Sequence, residues 1–333
     1  MSKTQFLSLT LLLICLQSCS LYHRVDPDKQ LSQNEIAQDI GELTHYLQHA
    51  HFDLNWDGKE QDILQGLQTI SSQALSTAEL KTKLDAVLRQ VDDGHTRIVT
   101  AREIHRAPKD KRKFTYLSLD EETAYLKIPH FSDRFQLAQI LDELQTDQHN
   151  YQRLLIDLRG NPGGNVKHVQ YFLRHFTSDS QAICIQQEIK CQKGYMGTVE
   201  CLDYVLKKGY KKNGRYLTKK CKTKTSKQQK TFAKKYLLVD TKTASGAMLA
   251  SYHLIENGYT SVGSQPTAIF NTFGNPRTYR LPNSNLWVNI STARVILNEQ
   301  HNNRQNDQLY CDIQSTESTL GNILQTIQSQ EKK

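Results

Sequence analysis

A chain of 333 residues with a formal net charge of +8 can bury a substantial core, as one large domain or as a small domain joined to a larger one. Much of the basic excess sits in one stretch, Lys207 to Lys235, which holds twelve lysines and Arg215 and reads as a solvated insertion because like charges resist packing. No nucleic-acid-binding module accompanies it, so nucleic acid is not an expected partner, whereas anionic lipid or cell-wall polymer is a chemistry the patch would fit.

The N-terminus carries Lys3, an apolar run from Phe6 to Leu16 and then small polar residues, the layout of a secretory signal over residues 1–18. The run is well short of the roughly 20 residues that span a bilayer as a helix. A polar tether follows over residues 19–33. Ser32 and Glu35 have capping-box spacing, and Ile36, Ile40, Leu43 and Leu47 recur at helical period. A second helix is expected over Lys59 to Ile70. The third is the clearest: Ser76 and Glu79 form another capping box, and Leu80, Leu84, Val87, Leu88 and Val91 make one stripe. Residues 34–92 therefore read as a small helical subdomain ending at Asp92-Asp93-Gly94.

Beyond it the pattern changes. Arg97 to Thr100 is strand-like, and Phe114 to Leu119 and Ala124 to Ile128 flank Asp120-Glu121-Glu122 as a hairpin. Arg134 to Leu144 reads as a helix, Leu154 to Asp157 as a short buried strand, Leu158 to Gly164 as a glycine-rich turn and Asn165 to His175 as a helix. Tyr236 to Asp240 is a further strand, followed by a helix from about Ser245 to Gly258. Ser261 to Gly263 starts another strand, and Thr316 to Gln328 reads as a terminal helix. Strands alternating with helices predict an α/β core. With Cys15 in the signal segment, and Cys19 set aside, Cys184, Cys191, Cys201, Cys221 and Cys311 remain. In an oxidising compartment four of them could staple the Lys-rich insertion as two disulfides, leaving one free thiol. No zinc-ligand spacing is present, and no metal or cofactor is expected.

Three segments carry unusual residues at strand ends: Asp93-Gly94-His95-Thr96, Asp157-Leu158-Arg159-Gly160-Asn161-Pro162-Gly163-Gly164, and Thr243-Ala244-Ser245-Gly246. Each alone is weak, since a serine at a helix start is more often a cap. Paired glycines after an apolar strand say more, because they let backbone N–H groups approach a ligand closely. A serine at a helix N-terminus sits in positive potential that favours an alkoxide.

In this order the segments resemble those of the S41 family of serine peptidases, the tail-specific or C-terminal processing proteases, and the likeness runs from about residue 90 to 313. Val262-Gly263 matches the glycine that follows the serine segment in that family. The resemblance implies an S41-type, ClpP/crotonase-like α/β core over residues 93–330, with the Lys- and Cys-rich insertion at about 184–235. It implies a peptide or protein substrate, Ser245 as nucleophile, and an oxyanion hole from the N–H of Gly246 with that of Gly163 or Gly164. Many members use a lysine after the serine, but none occurs between Lys242 and Lys332. His95 matches the base of the branch that resembles the tricorn protease core, and a neutral imidazole suits that task. Asp307 or Glu299 would orient it, with Asn306 and Gln305 open as alternatives. His130 and His253 are weaker candidates for the base. The stretch from Thr96 to Asp157 is taken by a hairpin and a helix, leaving no room for the PDZ domain many relatives carry.

Leu16-Gln17-Ser18-Cys19 is similar to a bacterial lipobox, which implies lipidation of Cys19. With Ser20 next in the chain, an outer-membrane anchor facing the periplasm is expected. The alternatives to a peptidase are a non-catalytic ligand-binding lipoprotein on the same fold and a structural lipoprotein that grips cell wall through its basic insertion.

Overall fold

The computed structural model describes residues 25–55, 58–100, 112–176, 185–190, 211–213, 216–221, 230–266, 268, 272–296, 308–317 and 319–332. Both capping boxes form. Strand β1 (Gln30–Leu31) leads into helix α1 (Gln33–Ala50), where the Ser32 hydroxyl accepts from the Glu35 N–H and Glu35 returns to the Ser32 N–H at 2.9 Å. Helix α2 (Glu60–Ser71) and strand β2 (Leu75–Ser76) precede helix α3 (Thr77–Leu88), capped in the same way by Ser76 and Glu79. Each such cap is worth about 1 kcal/mol. A single 3-10 turn, Arg89–Val91, ends the helical region, and strand β3 (Arg97–Val99) follows.

The stripes of α1 to α3 bury one another: Ile36, Leu43, Leu47, Ile63, Leu67, Leu80 and Leu84 have no exposed surface. This cluster does not end at residue 92. It continues onto Ile98 and onto Leu281, Leu286, Val288 and Ile290 of a hairpin far along the chain.

From there the chain runs through β4 (Thr115–Asp120), β5 (Thr123–Lys127), α4 (Arg134–Thr146), β6 (Arg153–Asp157) and α5 (Val166–Leu173). It continues through β7 (Ile185–Lys190), β8 (Lys211–Asn213), β9 (Tyr216–Cys221), β10 (Lys234–Val239), α6 (Gly246–Glu256) and β11 (Thr260–Gly263). The last elements are β12 (Thr272–Arg280), β13 (Trp287–Ile296), β14 (Ile313–Gln314) and α7 (Leu320–Glu331).

One sheet has the order β14-β11-β10-β6-β5-β4, parallel except for the β4–β5 hairpin. Its strands alternate between two buried faces, as a sheet covered on both sides requires. Leu154, Ile156, Leu237 and Val239 pack under α4, α5 and α6. Leu155, Tyr236 and Leu238 face the other way and meet Ile323 and Ile327 of α7. Helix α7 begins later than the sequence predicts, at the Thr319 cap, and runs on to Glu331. Its last carboxylate accepts from Arg153 Nε at 3.2 Å and from the Tyr236 hydroxyl at 2.6 Å, which fastens the final turn to β6 and β10.

The second sheet, β12-β13-β7-β9-β8 with β3 also on β13, corrects the sequence reading, which assigned no strand to these segments beyond β3. Gly274-Asn275-Pro276 looks like a turn, yet it lies inside β12 with no change of register. An edge strand tolerates proline because its outer N–H has no ladder partner. Asn275 adopts φ 52° and is held by the Thr292 hydroxyl, which donates to its carbonyl at 2.8 Å. Strands β7 to β9 arise within the polar insertion; β7 pairs with β13, β9 with β7 and β8 with β9, so pairing holds them in place, not an apolar alternation of their own.

Candidate active site

The loops that leave β6 and β10 lie side by side, because those strands are parallel neighbours. Asp157 ends β6 with no exposed surface. Burial alone would raise its pKa, but hydrogen bonds and charge from Arg159, together with Lys127 and Tyr125, hold it below the usual carboxylate range. Arg159 reaches Oδ2 at 2.8 Å, Tyr125 at 2.6 Å and Lys127 at 3.2 Å, so the first turn of the glycine loop is closed by a fully paired acid.

Buried Asn161 then organises the loop in three directions. Its Nδ2 donates to the Ile128 carbonyl at 2.8 Å, its Oδ1 accepts from the Gly163 N–H at 2.8 Å, and its carbonyl accepts from the Ala244 N–H at 3.0 Å. Thr243, also buried, donates from its hydroxyl to the Leu158 carbonyl at 3.1 Å. Gly160 donates its N–H to Asp240 at 2.9 Å. These cross-links fix Ser245 against Gly163 and Gly164.

Both glycines are required. At φ 97° a methyl group on Gly163 would lie 2.5 Å from the Gly246 nitrogen, and at φ 138° one on Gly164 would lie 2.5 Å from the Phe131 carbonyl carbon. No side chain fits at such distances.

Ser245 occupies the N-cap position of α6 but makes no capping bond, and its backbone sits at φ 51°, ψ −121°. A non-glycine residue held there stores roughly 1–3 kcal/mol of strain, a pattern that clusters at functional sites. Its hydroxyl, and the N–H groups of Gly246 and Gly164, donate to no protein acceptor among the described residues. The two amides are close together: a methyl group on Gly246 would lie 3.2 Å from the Gly164 nitrogen. The Gly163 N–H is already committed to Asn161, so of the two glycines named from the sequence only Gly164 offers a free donor. An unpartnered hydroxyl beside two unpartnered amides, at the positive end of a helix, can attack a carbonyl and hold the oxyanion that results.

His95 lies on a different element. It follows Asp92 at φ 52° and Gly94 at φ 70°, in a short loop with no regular structure of its own. Asp93 holds this loop: its carboxylate accepts from the His95 N–H at 2.8 Å, the Thr96 N–H at 2.6 Å, the Thr96 hydroxyl at 2.6 Å and His51 Nε2 at 3.0 Å. Burial acts to raise the Asp93 pKa, and the bonds from His51 and Thr96 outweigh it and hold the group far below the carboxylate range. The His95 Nδ1 lies 3.1 Å from the Asp93 carbonyl. A carbonyl can only accept, so Nδ1 is the donor in this contact, and the neutral form of the ring has its lone pair on Nε2.

The structure thus groups Ser245, Gly246, Gly163 and Gly164, and among the described residues no hydrogen bond joins His95 to Ser245. Glu299, Asp307 and Cys19 lie outside the described residues, as do Cys184, Cys191 and Cys201 of the expected disulfides. Cys311 is a buried free thiol, pushed up to about 11 by burial and by Asp312. His130 packs edge-on to Phe114 with Nδ1 on the Ser132 hydroxyl at 2.7 Å, and His253 is buried and pushed down to about 4 by desolvation. Neither is bonded to Ser245. Among the described residues no cluster of three or more metal-ligating side chains occurs. Tyr125, Lys127 and His51 are partners that no local signal marked, since each meets its acid through the fold.

The family model for peptidase family S41 matches residues 122–315. No curated protein matches the chain. Among solved structures, a lipoprotein from Streptococcus agalactiae superposes with a TM-score of 0.57 at 18% identity, covering 89% of this chain and 96% of its own. Mature CPAF in complex with lactacystin gives 0.61 at 11% identity, with 90% and 97% covered. The photosystem II D1 C-terminal processing protease gives 0.52 at 10% identity, with 88% and 96% covered. At these identities the likenesses speak for the fold.

Proposed function

Because the chain belongs to peptidase family S41, we propose that it is a serine endopeptidase that cleaves peptide or protein substrates with Ser245 as nucleophile and His95 as general base. The observation that carries this reading is the strained, uncapping Ser245 flanked by the unpaired amides of Gly246 and Gly164. In acylation, the Ser245 Oγ adds to the scissile carbonyl while its proton passes to His95 Nε2. The oxyanion rests on the two amides, each worth about 2.7–4 kcal/mol to the transition state. His95 then gives the proton to the departing amine, and a water molecule deprotonated by the same imidazole releases the acyl group. The Asp93 carbonyl already receives the Nδ1 proton, so the tautomer is set without a side-chain acid; Asp307 or Glu299 would add a charge to this arrangement.

Fluorophosphonate labelling tests the assignment. A covalent adduct on the wild type that is lost in Ser245→Ala supports it. A second reading, a ligand-binding protein on the peptidase fold, draws on the absence of a hydrogen bond between His95 and Ser245 among the described residues. It expects no adduct on either protein.

The proposal places the enzyme at the periplasmic face of the outer membrane, held by a lipid on Cys19, with the Lys-rich insertion against anionic lipid or cell wall. Among the described residues no helix is long and apolar enough to cross a membrane. Cys19→Ser should move the protein from the membrane fraction to the soluble one. Continued membrane association would shift the tether to the insertion.

A further inference from the structure

His51 follows the last residue of α1 and is fully buried. Its Nε2 meets Asp93 Oδ2 at 3.0 Å, and the two side chains are 1% and 0% exposed. Of the four donors that the Asp93 carboxylate receives, three come from the loop it supports, namely the His95 N–H, the Thr96 N–H and the Thr96 hydroxyl. The fourth, His51, lies 42 residues earlier in the chain.

The same helix end reaches the second sheet. Phe52 donates its N–H to the Ser291 carbonyl at 3.1 Å, and the Ser291 N–H donates to Thr96 Oγ1 at 3.2 Å. The His51 ring also packs at a tilt on Phe273, with centroids 5.4 Å apart. The end of α1, the loop of residues 92–96, β12 and β13 are therefore clasped around one carboxylate. The loop has two residues at positive φ and joins a ladder only at Arg97, where β3 begins, so its shape depends on that acid.

We propose that His51 is a positioning residue for His95. By donating to Asp93 Oδ2 it fixes the carboxylate that binds the His95 amide, and with it the carbonyl that receives the His95 Nδ1 proton. The imidazole is thereby aimed from the far side of the loop by a group that never touches substrate. The claim rests on the reading of His95 as the general base. It also differs from a packing role in a way that can be measured. The link to Asp93 is a polar bond, which the amide of glutamine can replace and a methyl group cannot.

The experiment compares kcat and KM on an oligopeptide for wild type, His51→Ala, His51→Gln and His95→Ala, and records the His95 Hε1 resonance in the folded proteins. His51→Ala should lose roughly 10²-fold in kcat, the usual consequence of a small misplacement near reacting atoms, with KM within about twofold. His51→Gln should recover most of that loss, and the His95 resonance should move in the alanine variant and return in the glutamine variant. Wild-type kcat in His51→Ala overturns the proposal. So do equal losses in both variants with the His95 resonance unmoved. If His51→Ala does not fold, His51→Gln decides alone: near-normal kcat and resonance support the proposal, and a folded enzyme with a displaced resonance and lost turnover overturns it. A His95→Ala enzyme that keeps its turnover sinks the general-base reading instead, and the resonance comparison then decides the positioning claim.

Discussion

Gly163 lies so close to Ser245 that a methyl group on its Cα would sit 2.7 Å from the serine Cβ. The glycine loop after β6 and the serine turn after β10 are thus one unit, and neither can move without the other. Gly163→Ala adds a clash to an unfavourable φ of 97°. The variant should stay folded with a lowered Tm and lose about 10²-fold or more in kcat, because the oxyanion donors and the hydroxyl are displaced together. Steady-state kinetics beside a thermal melt check it. A variant with wild-type kcat would show that the close approach is incidental.

His95→Ala should reduce kcat/KM by roughly 10² to 10⁴, the range for losing a positioned proton acceptor. His95→Gln should be nearly as impaired, since an amide can hydrogen-bond but does not take a proton at neutral pH. Circular dichroism should show both variants folded, as Asp93 keeps its bonds to Thr96 and His51. Near-normal turnover in both would remove His95 from the mechanism.

Glu331 carries a prediction about stability. Burial acts to raise its pKa, and the hydrogen bonds from Arg153, Tyr236 and Lys234 outweigh it, lowering the group from 4.5 to about 2. A carboxylate whose folded pKa is depressed stabilises the fold fully above its unfolded value and loses that contribution as pH falls through the folded one. Glu331→Gln should cost roughly 1.5–3 kcal/mol at neutral pH, the scale of a charged hydrogen bond. The gap from wild type should narrow between about pH 4.5 and pH 2. Urea melts at several pH values measure it, and a gap that does not change with pH would contradict the assignment.

Much of this architecture could be read in advance because its causes are local. The boxes at Ser32 and Ser76, the apolar strands predicted at Leu154 to Asp157 and Tyr236 to Asp240, and the glycine loop each declare themselves within a few residues. The second sheet does not. β12 carries Gly-Asn-Pro in its interior, and β7 to β9 are polar, so their strand state depends on the pairing that starts from β13, which for β7 to β9 lies far along the chain. The last turn of α7 runs past the predicted end at Gln328 for a similar reason, since Glu331 is held by Arg153 across the sheet. In the site, the serine and the glycines are visible as a motif. The His51–Asp93 bond is not, because a histidine at a helix end carries no sign of the acid it will meet.

The central claim is that Ser245 forms the bond to substrate, and turnover of a fluorescent casein or oligopeptide by wild type and Ser245→Ala tests it most directly. The account predicts hydrolysis by the wild type and none above background by a Ser245→Ala protein with an unchanged circular dichroism spectrum. More than a few per cent of wild-type turnover in that folded variant would contradict it.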